Sequence, residues 1–293
     1  MGICGYNPRR CYSASTSPVA LTEVFNSINL AIEGTTNLLD AMNNVATGQP
    51  IHRAFEVWPS LDRSSFVIQP ISDWAFSEMV AELDRRDTDA AYKFYQQIKG
   101  SRNSVSLGGP LFKSKAHKFF QSITKPRSFS IRSLDDPSMT LDIEFSSAVV
   151  HQNFGSEQFF GGYLTTFVKN QESCYLKPLS PTYSTFDAFL CQHMITQPGY
   201  QPFIGLQVTN AASHSIGIKG LEAIQKSLKK QIPELNSLRP STAKKWIVLF
   251  VVPEPMAVSF QKQLITDAAE VGHWYAKTAQ YVLGLPEYEV LRS

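Results

Sequence analysis

Asp187 stands in an otherwise apolar run, Ser184-Thr185-Phe186-Asp187-Ala188-Phe189-Leu190, and a loop later Gln207 and Thr209 interrupt a second run, Pro202 to Thr209. Residues two apart on a strand share a face, so the spacing predicts a carboxylate on one strand and two same-face polar groups on the next. Leu221, Ile224 and Leu228 then recur at helical spacing within Ser215 to Lys230, which predicts a helix behind the strands. Hard oxygen donors in this order can hold a divalent cation that activates water and offsets charge on a phosphate. The chemistry to test is therefore metal-assisted phosphodiester hydrolysis, with Asp187 and Gln207 as the metal-binding pair. Gln207 brings an uncharged carbonyl oxygen to that task, and Thr209 brings no cation to set beside a scissile group. The same residues also have plainer readings. Asp187 can be a strand-end acid facing water, and Gln207 with Thr209 the wet side of an edge strand.

The elements that must position these residues follow a recognisable order. Residues 1–17 read as irregular; Pro18 opens a helix whose apolar positions run to about Val45, with a break at Gly34. Ile51 to Val57 and Phe66 to Ile68 read as short strands about the turn Pro59-Ser60-Leu61-Asp62. Three helices follow, capped at Ser72 or Asp73, capped at Asp87, and running through Phe112, Ala116, Phe119, Phe120 and Ile123. Lys113 and His117 lie one turn apart on the third. From Ser128 the period becomes two, with strands predicted at Phe129–Ile131, Leu141–Phe145, Tyr163–Val168, Ser173–Leu176 and Thr185–Leu190. Trp246 to Val252 is the most continuous apolar run and belongs in the middle of a sheet covered on both faces. Met256, Phe260 and Leu264 predict a helix after it, and a last helix is expected around Trp274 to Leu283. The fold class is thus α/β, a mixed sheet between helices with a short N-terminal helical appendage, residues 1–48, before a main domain of residues 49–293.

Bulk properties exclude several classes. A chain of 293 residues with 43% apolar and 18% charged residues buries a sizeable core and falls outside the disordered class. The net charge of +2 leaves any nucleic-acid surface to a local patch, and Lys226, Lys229, Lys230, Lys244 and Lys245 form the densest basic grouping; such runs also occur as solvated faces. No apolar run reaches the length of a membrane span. The four cysteines lack C-x-x-C spacing, and residues 1–17 hold no apolar signal core, so the expected setting is reducing and intracellular, the nucleus included. His151, His193, His214 and His273 have no ligand-like spacing, and Ser213-His214 lacks a G-x-S-x-G context.

Longer stretches carry a resemblance. Gly108 to His117, Phe129-Ser130-Ile131-Arg132-Ser133-Leu134, Phe186-Asp187-Ala188-Phe189, Leu206-Gln207-Val208-Thr209, Ile218-Lys219-Gly220-Leu221, Trp246 to Pro253 and Gln280-Tyr281-Val282-Leu283-Gly284 are similar to the nuclease domain of the fungal and oomycete crinkler and retrotransposon-hot-spot-like proteins, of the PD-(D/E)XK or restriction-endonuclease-like type. The resemblance covers about residue 50 to the end. It implies a helix supplying Glu, a strand supplying Asp, and a next strand supplying an acid and a Lys two apart, around Mg²⁺ or Mn²⁺. Asp187 matches the strand acid, Gln207 and Thr209 occupy the acid and Lys positions, Lys113 stands where the helical Glu is expected, and His117 follows four residues later. Lys113 then pairs with Asp187 in the metal's place, binds a phosphate directly, or marks a shift of helix register. A P-loop module commonly precedes this domain in the family. The chain holds no G-x-x-x-x-G-K-[ST], and Gly5-Tyr6-Asn7-Pro8-Arg9 bears a faint likeness to the end of that module. Implied partners are nucleic acid, DNA before RNA, or a host protein. The two functional expectations are a metal-dependent nuclease with a degenerate site and a pseudo-enzyme that binds without turnover.

Overall fold

The computed structural model describes residues 17–35, 38, 53–59, 63, 66–87, 89–99, 105–146, 148–170, 172–179, 185–192, 199–230, 233–266 and 271–293. The chain forms two compact units, Met1–Lys118 with Glu287–Ser293, and Phe119–Pro286. The division falls inside a helix, Gly108–Ser122.

In the first unit, helix α1 (Pro18–Glu33) starts where Ser17 accepts a hydrogen bond from the Ala20 N–H at 3.1 Å and ends at Gly34, as the spacing predicts. The rest of the predicted appendage helix, apart from Leu38, lies outside the described residues. Strands β1 (Phe55–Pro59) and β2 (Phe66–Pro70) form an antiparallel pair. Helices α2 (Asp73–Arg86, capped by Ser72), α3 (Ala90–Lys99) and α4 (Gly108–Ser122) follow. The appendage is part of this unit's core: Phe25 meets Trp74 of α2 edge-on at 4.5 Å, and Arg86 donates to the Ile32 carbonyl at 3.0 Å. Lys115 is 1% exposed yet charged-partnered, its ammonium donating to Asp84 at 2.8 Å and to the Ser293 carbonyl. Burial lowers its pKa, and Asp84 opposes that shift.

The second unit is a mixed α/β fold built on one large curled sheet. In chain order its parts are strands β3 (Arg127–Ser133), β4 (Thr140–Phe145) and β5 (Val150–Phe154), helix α5 (Glu157–Asn170), strands β6 (Cys174–Pro178), β7 (Ala188–Cys191), β8 (Tyr200–Val208) and β9 (Ile216–Gly217), and helix α6 (Ile218–Lys230). Strand β10 (Lys245–Pro253), the short helix α7 (Glu254–Ala257), strand β11 (Ile265–Thr266), helix α8 (Val271–Lys277) and strand β12 (Thr278–Leu285) complete it. The sheet order is β4-β3-β12-β10-β8-β7-β6-β5, and β9 pairs only with β11. Strands β8, β10 and β12 are mutually parallel, whereas β6, β7 and β8 run antiparallel in turn.

Burial explains these choices. Strand β10 is buried from Trp246 to Val252, as a continuous apolar run in mid-sheet should be, while β3 and β4 alternate as predicted. One sheet face carries Phe203, Phe189, Val248, Phe250 and Val282 against Phe160, Leu164, Leu221 and Leu228 of α5 and α6. On the other face the curl brings β4 toward β6, where Phe145 stacks on Phe120 at 4.4 Å and meets Tyr175 at 6.1 Å. Cys174 and Cys191, unremarkable in sequence, are register partners across β6 and β7, and burial raises the Cys191 thiol pKa, with Cys174 adding to it.

Three predicted elements differ. Tyr163–Val168 lies in helix α5, where Thr165 and Thr166 return their hydroxyls to the Gly161 and Gly162 carbonyls at 2.8 and 3.3 Å and so satisfy themselves within a helix. The helix expected through Met256, Phe260 and Leu264 stops at Ala257; Phe260 is buried but Leu264 is 70% exposed, so the spacing is not a helical face. Beyond α8, residues 278–285 are not helical but form β12, paired in parallel with β10 from Trp246↔Thr278 to Pro253↔Leu285. A run that is buried on all sides lacks the period that separates strand from helix.

Packing over Gly205 of β8 is tight. A Cβ there would meet the Phe186 ring at 2.5 Å, too close for a real contact. Gly205→Ala is expected to cost about 1–3 kcal/mol through overpacking, read as a lower denaturation midpoint at unchanged slope; an unchanged midpoint would show that Phe186 moves aside freely.

Candidate functional site

Asp187 precedes the first residue of β7, where the ladder becomes irregular. Strict alternation puts Phe186 and Phe189, three apart, on opposite faces, yet both belong to one core cluster. Immediately before this pair, Thr185 has a φ of 76°, which places a β-branched residue in the left-handed region, an arrangement that costs on the order of 1–3 kcal/mol and persists only where neighbours hold it. The holding contacts are visible. The Thr185 hydroxyl donates to the Gly217 carbonyl at 2.9 Å, and Gln207 Nε2 donates to the Thr185 carbonyl at 2.6 Å.

The consequence for Asp187 is a change of partner. Its own N–H donates to the Leu206 carbonyl at 2.8 Å, and its carboxylate Oδ2 accepts the Val208 N–H at 2.8 Å. A side-chain oxygen therefore takes an N–H of the neighbouring strand at the peptide between Gln207 and Thr209. Asp187 is half-buried, and its charge adds to burial in raising the pKa of the Tyr175 hydroxyl on β6. Thr209 is buried, donates its N–H to the Val251 carbonyl, and offers its hydroxyl oxygen to the Ala211 N–H at 3.0 Å, a local turn. Gln207 is 3% exposed, and its Oε1 is buried without a hydrogen-bond partner among the described residues.

The structure thus brings Asp187, Gln207 and Thr209 together at the C-terminal end of β8. Gln207 and Thr209 are not the wet side of an edge strand, because β8 lies between β7 and β10 and both residues are buried. Lys113, half-buried, and His117, 2% exposed, lie on α4 in the first unit. The predicted basic group stands elsewhere in the second unit. Lys245 pairs with Tyr200 at the start of β8, whereas Gln207 pairs with Phe250. Five residues of β10 separate these two levels, about 17 Å at the usual strand rise. Lys226 and Lys244 are exposed, and the side chains of Lys229 and Lys230 lie outside the described residues.

As a site for Mg²⁺ or Mn²⁺ the centre is deficient. One carboxylate oxygen is engaged by a backbone N–H, the Gln207 amide is oriented by donating to Thr185, and among the described residues no three His, Cys, Asp or Glu side chains gather as ligands. The donor set present does not by itself fit a hard divalent cation. Sequence reasoning found Asp187, Gln207 and Thr209 but missed Thr185, since no spacing pattern announces a left-handed threonine. Compared with protein-family models, curated proteins and solved structures, the chain matches none. No helix among the described residues is long and apolar enough to cross a membrane.

The Asp187–Val208 contact separates structural from chemical roles. Asp187→Asn keeps an oxygen for Val208 and is expected to change the unfolding free energy by less than about 1 kcal/mol, whereas Asp187→Ala strands a buried N–H at a cost of about 1–3 kcal/mol. Equal losses in the two variants would assign the stabilisation to the charge instead.

Proposed function

We propose that residues 119–286 are a nucleic-acid-directed domain of the restriction-endonuclease-like type, akin to the crinkler nuclease domain, whose ancestral centre now serves as a structural clasp and which binds without turnover. The observation that carries this reading is the order of parts around Asp187. In chain order Lys113 on α4 comes first; Asp187 heads β7; Gln207 lies at the end of β8 with Thr209 just beyond it; helix α6 and the buried strand β10 follow. That is the order of donors the resemblance implies, with Asp187 placed at the peptide between the other two positions.

The inactive reading rests on the donors themselves. Gln207 turns its amide nitrogen to Thr185 and Thr209 spends its hydroxyl on a turn, so both make structural bonds where an acid and an ammonium would make chemical ones. Affinity then comes from cations such as Lys226 and Lys244 on phosphates and falls with salt. A host protein is the other partner the resemblance implies.

A second reading, hydrolysis with Mg²⁺ or Mn²⁺, draws on one observation, the buried Gln207 Oε1 without a hydrogen-bond partner, an amide oxygen available to a cation beside the Asp187 carboxylate. The readings separate in one pair of assays. With DNA or RNA and millimolar Mg²⁺ or Mn²⁺, the clasp reading expects no cleavage above that of Asp187→Asn, and calorimetry with Mn²⁺ expects no heat of binding. Cleavage lost in Asp187→Asn, together with Mn²⁺ binding lost in the same variant, would establish the hydrolytic reading.

A further inference from the structure

At the opposite ends of the parallel strands, where β8, β10 and β12 begin, the second unit gathers several cations. Two tryptophans organise the place. Trp246, the second residue of β10, is 1% exposed and donates its indole N–H to the Leu238 carbonyl at 2.7 Å, which fixes the chain immediately before Arg239. The Arg239 backbone is held further, its carbonyl accepting from buried Gln201 of β8 at 2.7 Å. The ring of Trp246 packs on that of Trp274 of α8 at 5.9 Å. Trp274 in turn carries the Lys277 ammonium over its ring at 5.8 Å and the His273 ring edge-on at 6.2 Å.

The polar ends of these residues are poorly matched to one another. The Lys277 ammonium lies 2.5 Å from His273 Nε2, a cation donating to an imidazole nitrogen. Among the described residues, buried Arg239 Nε has no hydrogen-bond partner and no ion pair joins Arg239, Lys244, Lys245 or Lys277 to an acid. Burial lowers the Lys277 pKa, and the Arg239 charge lowers it further, so the two cations are close enough to repel. The last turn of a helix favours cations, which accounts for Lys277 at the end of α8. It does not account for Arg239, which comes from a different segment and leaves a buried donor unused.

We propose that Arg239, His273 and Lys277, carried on the Trp246–Trp274 pair, form a binding site for a phosphate group. The planar guanidinium and the compact ammonium suit an oxyanion from two sides, and an anion there offsets the repulsion between them and supplies the acceptor that Arg239 Nε lacks. Exposed Lys244 and half-buried Lys245, at the head of β10 beside Trp246, extend the same sign of charge outward along the surface. The phosphate comes either from a small molecule, such as a nucleoside monophosphate, or from a polynucleotide backbone. The site is independent of Asp187, which lies at the other end of the same strands.

Calorimetric titration with inorganic phosphate, with AMP and with a short oligodeoxynucleotide tests this, using the full chain as wild type, Lys277→Met, Arg239→Gln and Asp187→Asn. Each of the first two substitutions removes a charged hydrogen-bond donor and is expected to weaken binding about tenfold or more, with Asp187→Asn unchanged. Comparable affinity for all three probes assigns a free phosphate or nucleotide; tighter oligonucleotide binding, with a salt slope that falls by about one in Lys277→Met, assigns a backbone. Failure of the wild type to bind any probe, or equal affinity in Lys277→Met, overturns the proposal. Lys277→Met carries the decision if Arg239→Gln lowers the melting temperature in chloride alone.

Discussion

Strand β10 has no access to water from Trp246 to Val252, so every peptide group in it must be paired by a neighbour. Those neighbours are β8 and β12, both parallel to it. Parallel neighbours cannot be joined by a tight turn, and the chain meets that constraint with α6 between β8 and β10 and with α7, β11 and α8 between β10 and β12. The same constraint creates two distinct poles. Strand C-termini gather Asp187, Gln207 and Thr209; strand N-termini gather Lys245, Arg239 and Lys277.

The C-terminal pole is where the antiparallel β7 has to end against β8. Phe186 covers Gly205 and Phe189 enters the same core, which demands an irregular step between them. Thr185, just before Phe186, takes a left-handed conformation, and Gln207 and the Gly217 carbonyl hold that conformation in place. Strain collected where a carboxylate meets a buried amide is how working sites are held, and here one of the holding groups, Gln207, is a residue whose spacing suggests chemistry.

Much of this was legible in the chain. Alternation identified β3 and β4, and the uninterrupted apolar run from Trp246 identified the central strand, because each pattern maps onto one burial state. Strand periodicity put Gln207 and Thr209 on one face, and the resemblance set Asp187 beside them. Strand β12 was not legible: Gln280-Tyr281-Val282-Leu283 is buried on both faces, and the polar interruption at Gln280 is a core residue that exchanges hydrogen bonds with the Gln263 backbone at 2.7 and 2.9 Å. Nor was the N-terminal pole, since Arg239 and Lys277 are far apart in sequence and meet only through the Trp246–Trp274 contact. The lysine grouping at 226–245 was visible, but not that its Lys245 stands at the other end of the sheet from Asp187.

The central claim is that the second unit engages nucleic acid without using Asp187 as a reactive group. Fluorescence anisotropy of a labelled DNA duplex, titrated with wild type and Asp187→Asn across a salt series without metal, tests it directly. The account predicts superimposable isotherms for the two proteins and an affinity that falls linearly with the logarithm of salt. Absence of binding at low salt, or binding that depends on Asp187, would contradict it.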